Sequence, residues 1–240
     1  MKAYAYTDVG KLRSENQDYV FLSEQNVGNL PNLFLVADGM GGHAGGRYAS
    51  CRAVEIMLKE IKSQKSKLPI EIFEGAIQEA NRVILAEAAE DETMLGMGTT
   101  IVAATIFGHT LYTANVGDSR LYVQDAEGIR QITKDHSLVE EMLRIGEIDV
   151  GEVKEHPDKN VITRAVGAMS ELKIDYFETT LEKGDIVLMC SDGLSNMIED
   201  SQMRLILNSS DDTINKAEKL VLIANQNGGK DNITAIVIES

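Results

Sequence analysis

Five aspartates stand where buried strands should begin or end. Val36-Ala37-Asp38-Gly39, Asn115-Val116-Gly117-Asp118 and Cys190-Ser191-Asp192-Gly193 each carry an apolar stretch into an aspartate. Asp231 comes just before the apolar run 233–238, and Asp18 just before Tyr19-Val20-Phe21-Leu22. Aspartate is a poor strand residue, and one at a strand end is commonly a turn former. Five of them beside buried strands suggest a second role. Strand ends of one sheet can converge, and converging carboxylates repel unless cations sit between them. Short, hard oxygen ligands suit Mg²⁺ or Mn²⁺. The glycines after Asp38 and Asp192 let the backbone come close, so that a carbonyl can ligate or a water can enter. Arg13, five residues before Asp18, could supply a planar fork for a phosphate.

The elements that must position these residues follow from periodicity. Apolar runs predict strands over 4–7, 19–22, 33–37, 99–107, 111–116, 120–124, 185–190 and 233–238. The run 33–37 is unbroken, as in a strand buried on both faces, and should stop at Asp38-Gly39. Ala49, Ala53, Met57 and Ile61 recur at helical spacing over 46–62, and Phe73, Ile77, Ala80 and Ile84 over 70–89. Asn81 and Arg82 then fall on the solvent side or edge of the second helix. Ser137-Leu138-Val139-Glu140 is a capping box that opens a helix to about 145. Residues 146–160 are acidic and irregular, an exposed insertion. A last helix covers 212–225, closed by Gly228-Gly229. The order is α+β, without the strand-helix alternation of a parallel sheet. Two antiparallel sheets packed face to face, with helices outside, would use these elements.

Composition narrows the partners. The chain has 240 residues, 43% apolar and 25% charged, which is ordinary for a globular protein. Lys plus Arg is 23 against 38 Asp plus Glu, a net charge of −15. That balance argues against nucleic acid and against an anionic membrane surface. Neither a signal-peptide core nor a membrane-length apolar run is present, and the two cysteines, Cys51 and Cys190, lie in apolar stretches far apart. A cytoplasmic protein with buried thiols is expected. There are no repeats and only three prolines, so 1–240 should be one continuous domain.

At these motifs the chain resembles the metal-dependent protein phosphatases of the type 2C (PPM) family, in their small bacterial form. The matching segments run from Thr7-Asp8-Val9-Gly10 through Arg13 to Asn16-Gln17-Asp18. They continue with Val36-Ala37-Asp38-Gly39-Met40-Gly41-Gly42-His43, Gly96-Met97-Gly98-Thr99-Thr100 and Asn115-Val116-Gly117-Asp118-Ser119-Arg120. Thr133-Lys134-Asp135-His136-Ser137, His156-Pro157 with Asn160 and Gly167, Ser191-Asp192-Gly193-Leu194 and Gly228-Gly229-Lys230-Asp231-Asn232 complete the order. The resemblance implies a four-layer α-β-β-α sandwich, two antiparallel sheets flanked by helix pairs, with a flap near 144–166. It implies that Asp38 bridges two metals, that Asp192 and Asp231 bind the first, and that the Gly39 carbonyl binds the second. Asp118 with Asp192 would form a third site, Asp18 would sit behind the ligands, and Arg13 would hold the substrate phosphate. The implied activity is hydrolysis of phosphoserine and phosphothreonine on proteins by a metal-activated water, with two Mn²⁺ or Mg²⁺ ions and room for a third. A monomer opposing a bacterial Hanks-type kinase is expected. Two departures matter. Where eukaryotic relatives place a histidine after the Asp-Gly, proposed as general acid, this chain has Met40, so the proton donor is His43 or a metal-bound water. Some relatives also carry Glu where Gln17 stands, which weakens a water-mediated metal contact.

Competing readings fail on context. Gly39-Met40-Gly41-Gly42-His43-Ala44 fits G-x-G-x-x-A, but the helix after it leads to a second helix, and Asp38 would face a pyrophosphate. Neither cysteine has an arginine six residues on, so a cysteine-phosphatase loop is absent. His109, His136 and His156 lack metal-ligand spacing, and His136 is expected to be a loop hydrogen-bonder. A phosphatase of small phosphoesters and a silent binding module remain as alternatives. The second is disfavoured because Arg13 and all the ligand aspartates are present.

Overall fold

The structure is a computed structural model that describes residues 1–41, 45–149, 151–153 and 156–239. His43, and Lys154 and Glu155 of the acidic stretch, lie outside the described residues. The strands are β1 (Lys2–Asp8), β2 (Asp18–Ser23), β3 (Leu33–Met40), β4 (Gly98–Thr99), β5 (Ile101–Phe107), β6 (Thr110–Val116), β7 (Arg120–Gln124), β8 (Ile129–Gln131), β9 (Asp175–Thr180), β10 (Ile186–Cys190) and β11 (Ile233–Glu239). The helices are α1 (Gly45–Ser63), α2 (Pro69–Glu90), α3 (Leu138–Ile145), α4 (Asp192–Ser195), α5 (Asp200–Leu207) and α6 (Thr213–Gln226).

Two sheets form, in the orders β1-β11-β10-β7-β8 and β2-β3-β5-β6-β9, with β4 paired to β3. Every pairing is antiparallel. The central strands are apolar on both faces because both faces are covered. On β3, Phe34 and Val36 enter the core between the sheets, while Leu33, Leu35 and Ala37 pack under α1 and α2. On β10, Val187 and Met189 face the other sheet, while Ile186, Leu188 and Cys190 pack with Leu207 of α5 and Leu220 of α6. Each such Leu, Ile or Val contributes about 1.5–3 kcal/mol by leaving water. Three core layers between four structural layers give the expected α-β-β-α sandwich.

Local signals explain the helix ends. Ser137 caps α3 by accepting from Glu140 N, and Gly146 closes it in the left-handed conformation. Asp212 caps α6 through Asn215 N. Three elements carry no strong sequence signal. β8 has three residues, and β9 is a half-exposed edge strand without an apolar run. α5 presents only Met203, Ile206 and Leu207 to the core.

Three expectations are corrected. β3 does not stop at Asp38, because Gly39 and Met40 pair with Thr99 and Gly98 of β4. Cys190 is buried but Cys51 is only half-buried, on α1 beside Glu55. Asn81 is not at the solvent side. It is 3% exposed, accepts from Gly167 N at 2.7 Å and donates to Met169 O at 2.9 Å, tying α2 to the segment after the flap. Its neighbour Arg82 is the exposed one, paired with Glu79. Asn81→Ala leaves a buried N–H and a carbonyl without partners, so it should cost about 1–3 kcal/mol in a denaturant titration. A change within about 0.5 kcal/mol, typical of a neutral surface site, would contradict this placement.

Candidate metal centre

Strand pairing and turns bring the aspartates to one end of the sandwich. Asp18 and Asp38 are direct partners in the β2–β3 register. Side chains of such a pair lie on one face with Cβ atoms about 4.5–5.5 Å apart, where like charges oppose each other. Asp118 follows β6 in a turn, Asp192 opens α4 directly after β10, and Asp231 precedes β11. A cleft of about 260 Å³ is lined by Arg13, Asp38, Gly39, Asp118, Asp192 and Asp231, among others. Asn160 and Ile162, from the flap region, also reach it.

The aspartates are held partly by distant segments and partly by their own turns. Asp38 N donates to Thr100 Oγ1 at 3.0 Å, and Asp38 O accepts from Thr100 N at 2.8 Å and from Thr99 Oγ1 at 2.9 Å. Gly39 lies so close to α1 that a Cβ there would stand 2.0 Å from the Gly46 carbonyl oxygen. Asp192 Oδ2 accepts from Asn196 Nδ2 at 3.0 Å. Asp231 Oδ1 accepts from Asn232 N at 2.8 Å, and its Oδ2 takes an N–H of Arg13 at 2.8 Å. Asn232 links three segments, accepting from Gln17 N and donating to the carbonyls of Val9 and Glu15. Asp18 is buried behind the cleft. Its Oδ2 accepts from Ser191 Oγ at 2.7 Å and from Thr234 Oγ1 at 2.6 Å, while its Oδ1 is buried with no hydrogen-bond partner.

The electrostatics follow from burial first and from neighbouring charges second. Burial, then the charges of Asp18, Asp192, Asp118 and Asp231, hold the Asp38 carboxyl well above the usual carboxylate range. Burial pushes Asp18 to about 7, with Asp192 and Asp231 adding to the rise and the Thr234 and Ser191 hydroxyls opposing it. Asp118 rises to about 8 through burial and the charges of Asp192 and Asp135. Asp192 rises to about 6 through burial and Asp231, moderated by Asp38, Arg120 and Arg13. Four acids that resist ionising beside one another form a site waiting for positive charge.

The donor set fits divalent cations. It is oxygen-only, and a buried Asp18 oxygen lacks any partner. Among the described residues, no three or more acidic, histidine or cysteine side chains are already drawn together as a metal cage. The carboxylates stand around an open cleft, which suits Mg²⁺ or Mn²⁺ holding part of their water.

Arg13, Asp18, Asp38, Gly39, Asp118, Asp192 and Asp231, the candidates in the sequence, all lie at this end. Asp18 is the first residue of β2 rather than the residue before it. His43 lies outside the described residues. Met40 and Gln17 both line the cleft. Thr99, Thr100, Ser191, Asn232 and Thr234 carried no assigned role, yet they hold Asp38, Asp18 and the Arg13 loop. Thr99, Thr100, Ser191 and Asn232 stand inside the family motifs, and Thr234 shows itself only as a hydroxyl within an apolar strand.

The raised acids give a signed pH dependence. A carboxyl with a raised folded pKa stabilises the fold fully below its unfolded value near 4 and loses that contribution as pH rises through the folded value. The metal-free protein should therefore lose melting temperature between about pH 5 and pH 8, by several degrees, since about 1 kcal/mol moves Tm by roughly 2–4 °C at this size. Saturating Mn²⁺, which favours the ionised carboxylates, should flatten or reverse the slope. Parallel slopes with EDTA and with Mn²⁺ would show that the carboxyls do not meet the cation.

Comparison with known proteins agrees with this geometry. The sequence model of the family described as Protein phosphatase 2C matches residues 12–235. The serine/threonine phosphatase stp of Listeria monocytogenes is 40% identical over 243 residues, covering 100% of this chain and 96% of that protein. The solved S. agalactiae serine/threonine phosphatase superposes with a TM-score of 0.92 at 34% identity, over 100% of this chain and 99% of that one. The catalytic domain of the phosphatase PstP, solved with two manganese ions, superposes with a TM-score of 0.85 at 29% identity, over 98% and 96% of the two chains. With carboxylates from separate strand ends around one cleft and a full-length match in sequence and fold, the chain belongs to the protein phosphatase 2C family.

Proposed function

We propose that the protein is a metal-dependent serine/threonine protein phosphatase that removes phosphate from phosphoserine and phosphothreonine on proteins, with its chemistry placed on the cleft lined by four aspartates. The observation that carries this reading is the meeting of Asp38, Asp118, Asp192 and Asp231, from four separate strand ends, with Arg13 at the same cleft. Asp38 would bridge two Mn²⁺ or Mg²⁺ ions, Asp192 and Asp231 would hold the first, and the Gly39 carbonyl the second. Asp118 with Asp192 offers a third site, and Asp18 supports the ligands from behind. When bound, such cations supply Lewis-acid charge and a water acidified far below its bulk value.

The chain's own residues do the rest. Arg13 has five N–H donors, and Asp231 takes one of them. The remainder of the fork can bind phosphate oxygens at the cleft edge. Asp38 and Asp192 are fixed by backbone and amide contacts, so the ligands need little rearrangement. A thiol nucleophile is disfavoured. Neither cysteine lines the cleft, burial pushes the Cys190 thiol to about 12, and burial with Glu55 raises Cys51. The proposed proton donor to the leaving group is His43 or a metal-bound water.

The physiological setting is also proposed. Residues 1–240 act as one monomeric catalytic domain, in the cytoplasm, on substrates of a Hanks-type Ser/Thr kinase, without nucleic-acid or membrane partners. Among the described residues no helix is long and apolar enough to cross a membrane, and the −15 charge disfavours nucleic acid and an anionic membrane surface.

Hydrolysis of a phosphothreonine peptide should require Mn²⁺ or Mg²⁺ and vanish in EDTA; activity surviving full chelation sinks the metal role. Asp192→Ala should lose at least about 100-fold in turnover, more than typical losses behind the first ligands, and near-normal turnover rejects its assignment. Arg13→Ala should raise KM about 10- to 100-fold, the scale of a lost charge-assisted bond, with a smaller change in kcat. A fixed KM with a collapsed kcat gives Arg13 a different role.

A further inference from the structure

Asp118 stands between two gripped residues. On one side, the buried Ser119 hydroxyl lies 2.7 Å from Thr100 Oγ1, the same oxygen that accepts from Asp38 N. On the other, Gly117 N donates to His136 Nδ1 at 3.1 Å, and Gly117 O accepts from His136 N at 2.9 Å. Gly117 has φ +104°, and a Cβ there would lie 2.5 Å from Thr100 Cγ2. The turn takes its shape from these neighbours.

His136 is 4% exposed and works in two directions. Its Nδ1 accepts an amide N–H, so the ring proton belongs on Nε2, which lies 3.2 Å from Asp175 Oδ2. Arg164 Nη1 donates to Asp175 Oδ1 at 2.9 Å and also lies 3.1 Å from His136 Nε2, a contact that is no hydrogen bond in this tautomer because both nitrogens are donors. Burial lowers the imidazole pKa, with Asp175 opposing, in keeping with a neutral ring. On the flap side, the His136 carbonyl accepts from Thr163 N at 2.7 Å, Ser137 bridges Ile162, and Leu138 N donates to Val161 O at 2.8 Å. Ile162 lines the cleft beside Asp118.

We propose that His136 is a positioning residue: by holding Gly117 through Nδ1 and Thr163 through its carbonyl, it sets the aim of Asp118 and the seat of the flap segment 161–163 together. The consequence for catalysis rests on Asp118 being a cation ligand. The consequence for the backbone does not.

Two variants separate this role from simple packing. The Asn side chain of His136→Asn can put an acceptor where Nδ1 stands. His136→Gln reaches toward Asp175 and leaves Gly117 N–H without an acceptor. In the metal-free protein, amide hydrogen exchange at both Gly117 and Thr163 should speed at least about tenfold in His136→Gln and stay near wild type in His136→Asn. Mn²⁺ titration should show the weakest site loosened about tenfold in His136→Gln, the scale of lost support behind a ligand, and restored in His136→Asn. Equal losses in the two variants, or a Gly117 amide that opens while Thr163 keeps wild-type exchange, would overturn the proposal. Asp118→Ala, titrated alongside, isolates the underlying reading. If it leaves Mn²⁺ binding unchanged, Asp118 is not a ligand, and the exchange data alone decide the role of His136.

Discussion

Repulsion among carboxylates crowded at one end of a sandwich is the constraint around which this molecule is built. Asp18 and Asp38 sit opposite each other in one strand pair, the arrangement a sheet ordinarily avoids. Three more aspartates arrive from other strand ends. Arg13 answers one of them with an ion pair to Asp231, and Ser191 and Thr234 answer another by donating to Asp18. What remains unanswered is negative charge that only protons or cations can offset. Of the 38 acidic residues, these few gather at one end of the sandwich, where the negative charge concentrates.

The frame has to hold that repulsion without yielding. Both sheets bury apolar residues on both faces of their central strands, so the strand ends are anchored by three core layers. The last residues are then fixed individually. Thr99 and Thr100 grip the backbone of Asp38, α1 packs against Gly39, and Asn232 joins the Arg13 loop to the start of β11. Thr100 serves twice, since its hydroxyl also meets Ser119 beside Asp118. Asp38 on β3 and Asp118 in the β6–β7 turn are thereby tied through one side chain.

Legibility in the sequence followed the range of each interaction. The unbroken run ending at Asp38, the helical spacing of Ala49 to Ile61 and the cap at Ser137 depend on neighbours in sequence, and each was readable. The aspartates were legible as a set because each stands at or beside the end of an apolar strand. What stayed hidden depends on pairing between distant segments. Asn81 looked like a surface residue because its partners, Gly167 and Met169, lie far along the chain. β9 is an edge strand stabilised by its register with β6 rather than by an apolar pattern. The continuation of β3 through Met40 needed β4 as a partner. The hydroxyls on Asp18 and the Arg13–Asp231 ion pair join residues more than 170 positions apart, and no local pattern announces them.

The central claim is that these carboxylates exist to hold cations. It is tested most directly by anomalous scattering at the manganese edge from crystals grown with Mn²⁺. The account predicts two strong peaks within ligand distance of Asp38, one also bound by Asp192 and Asp231, with any third between Asp118 and Asp192. A cleft without peaks at saturating Mn²⁺, or peaks only on surface carboxylates elsewhere, would contradict it.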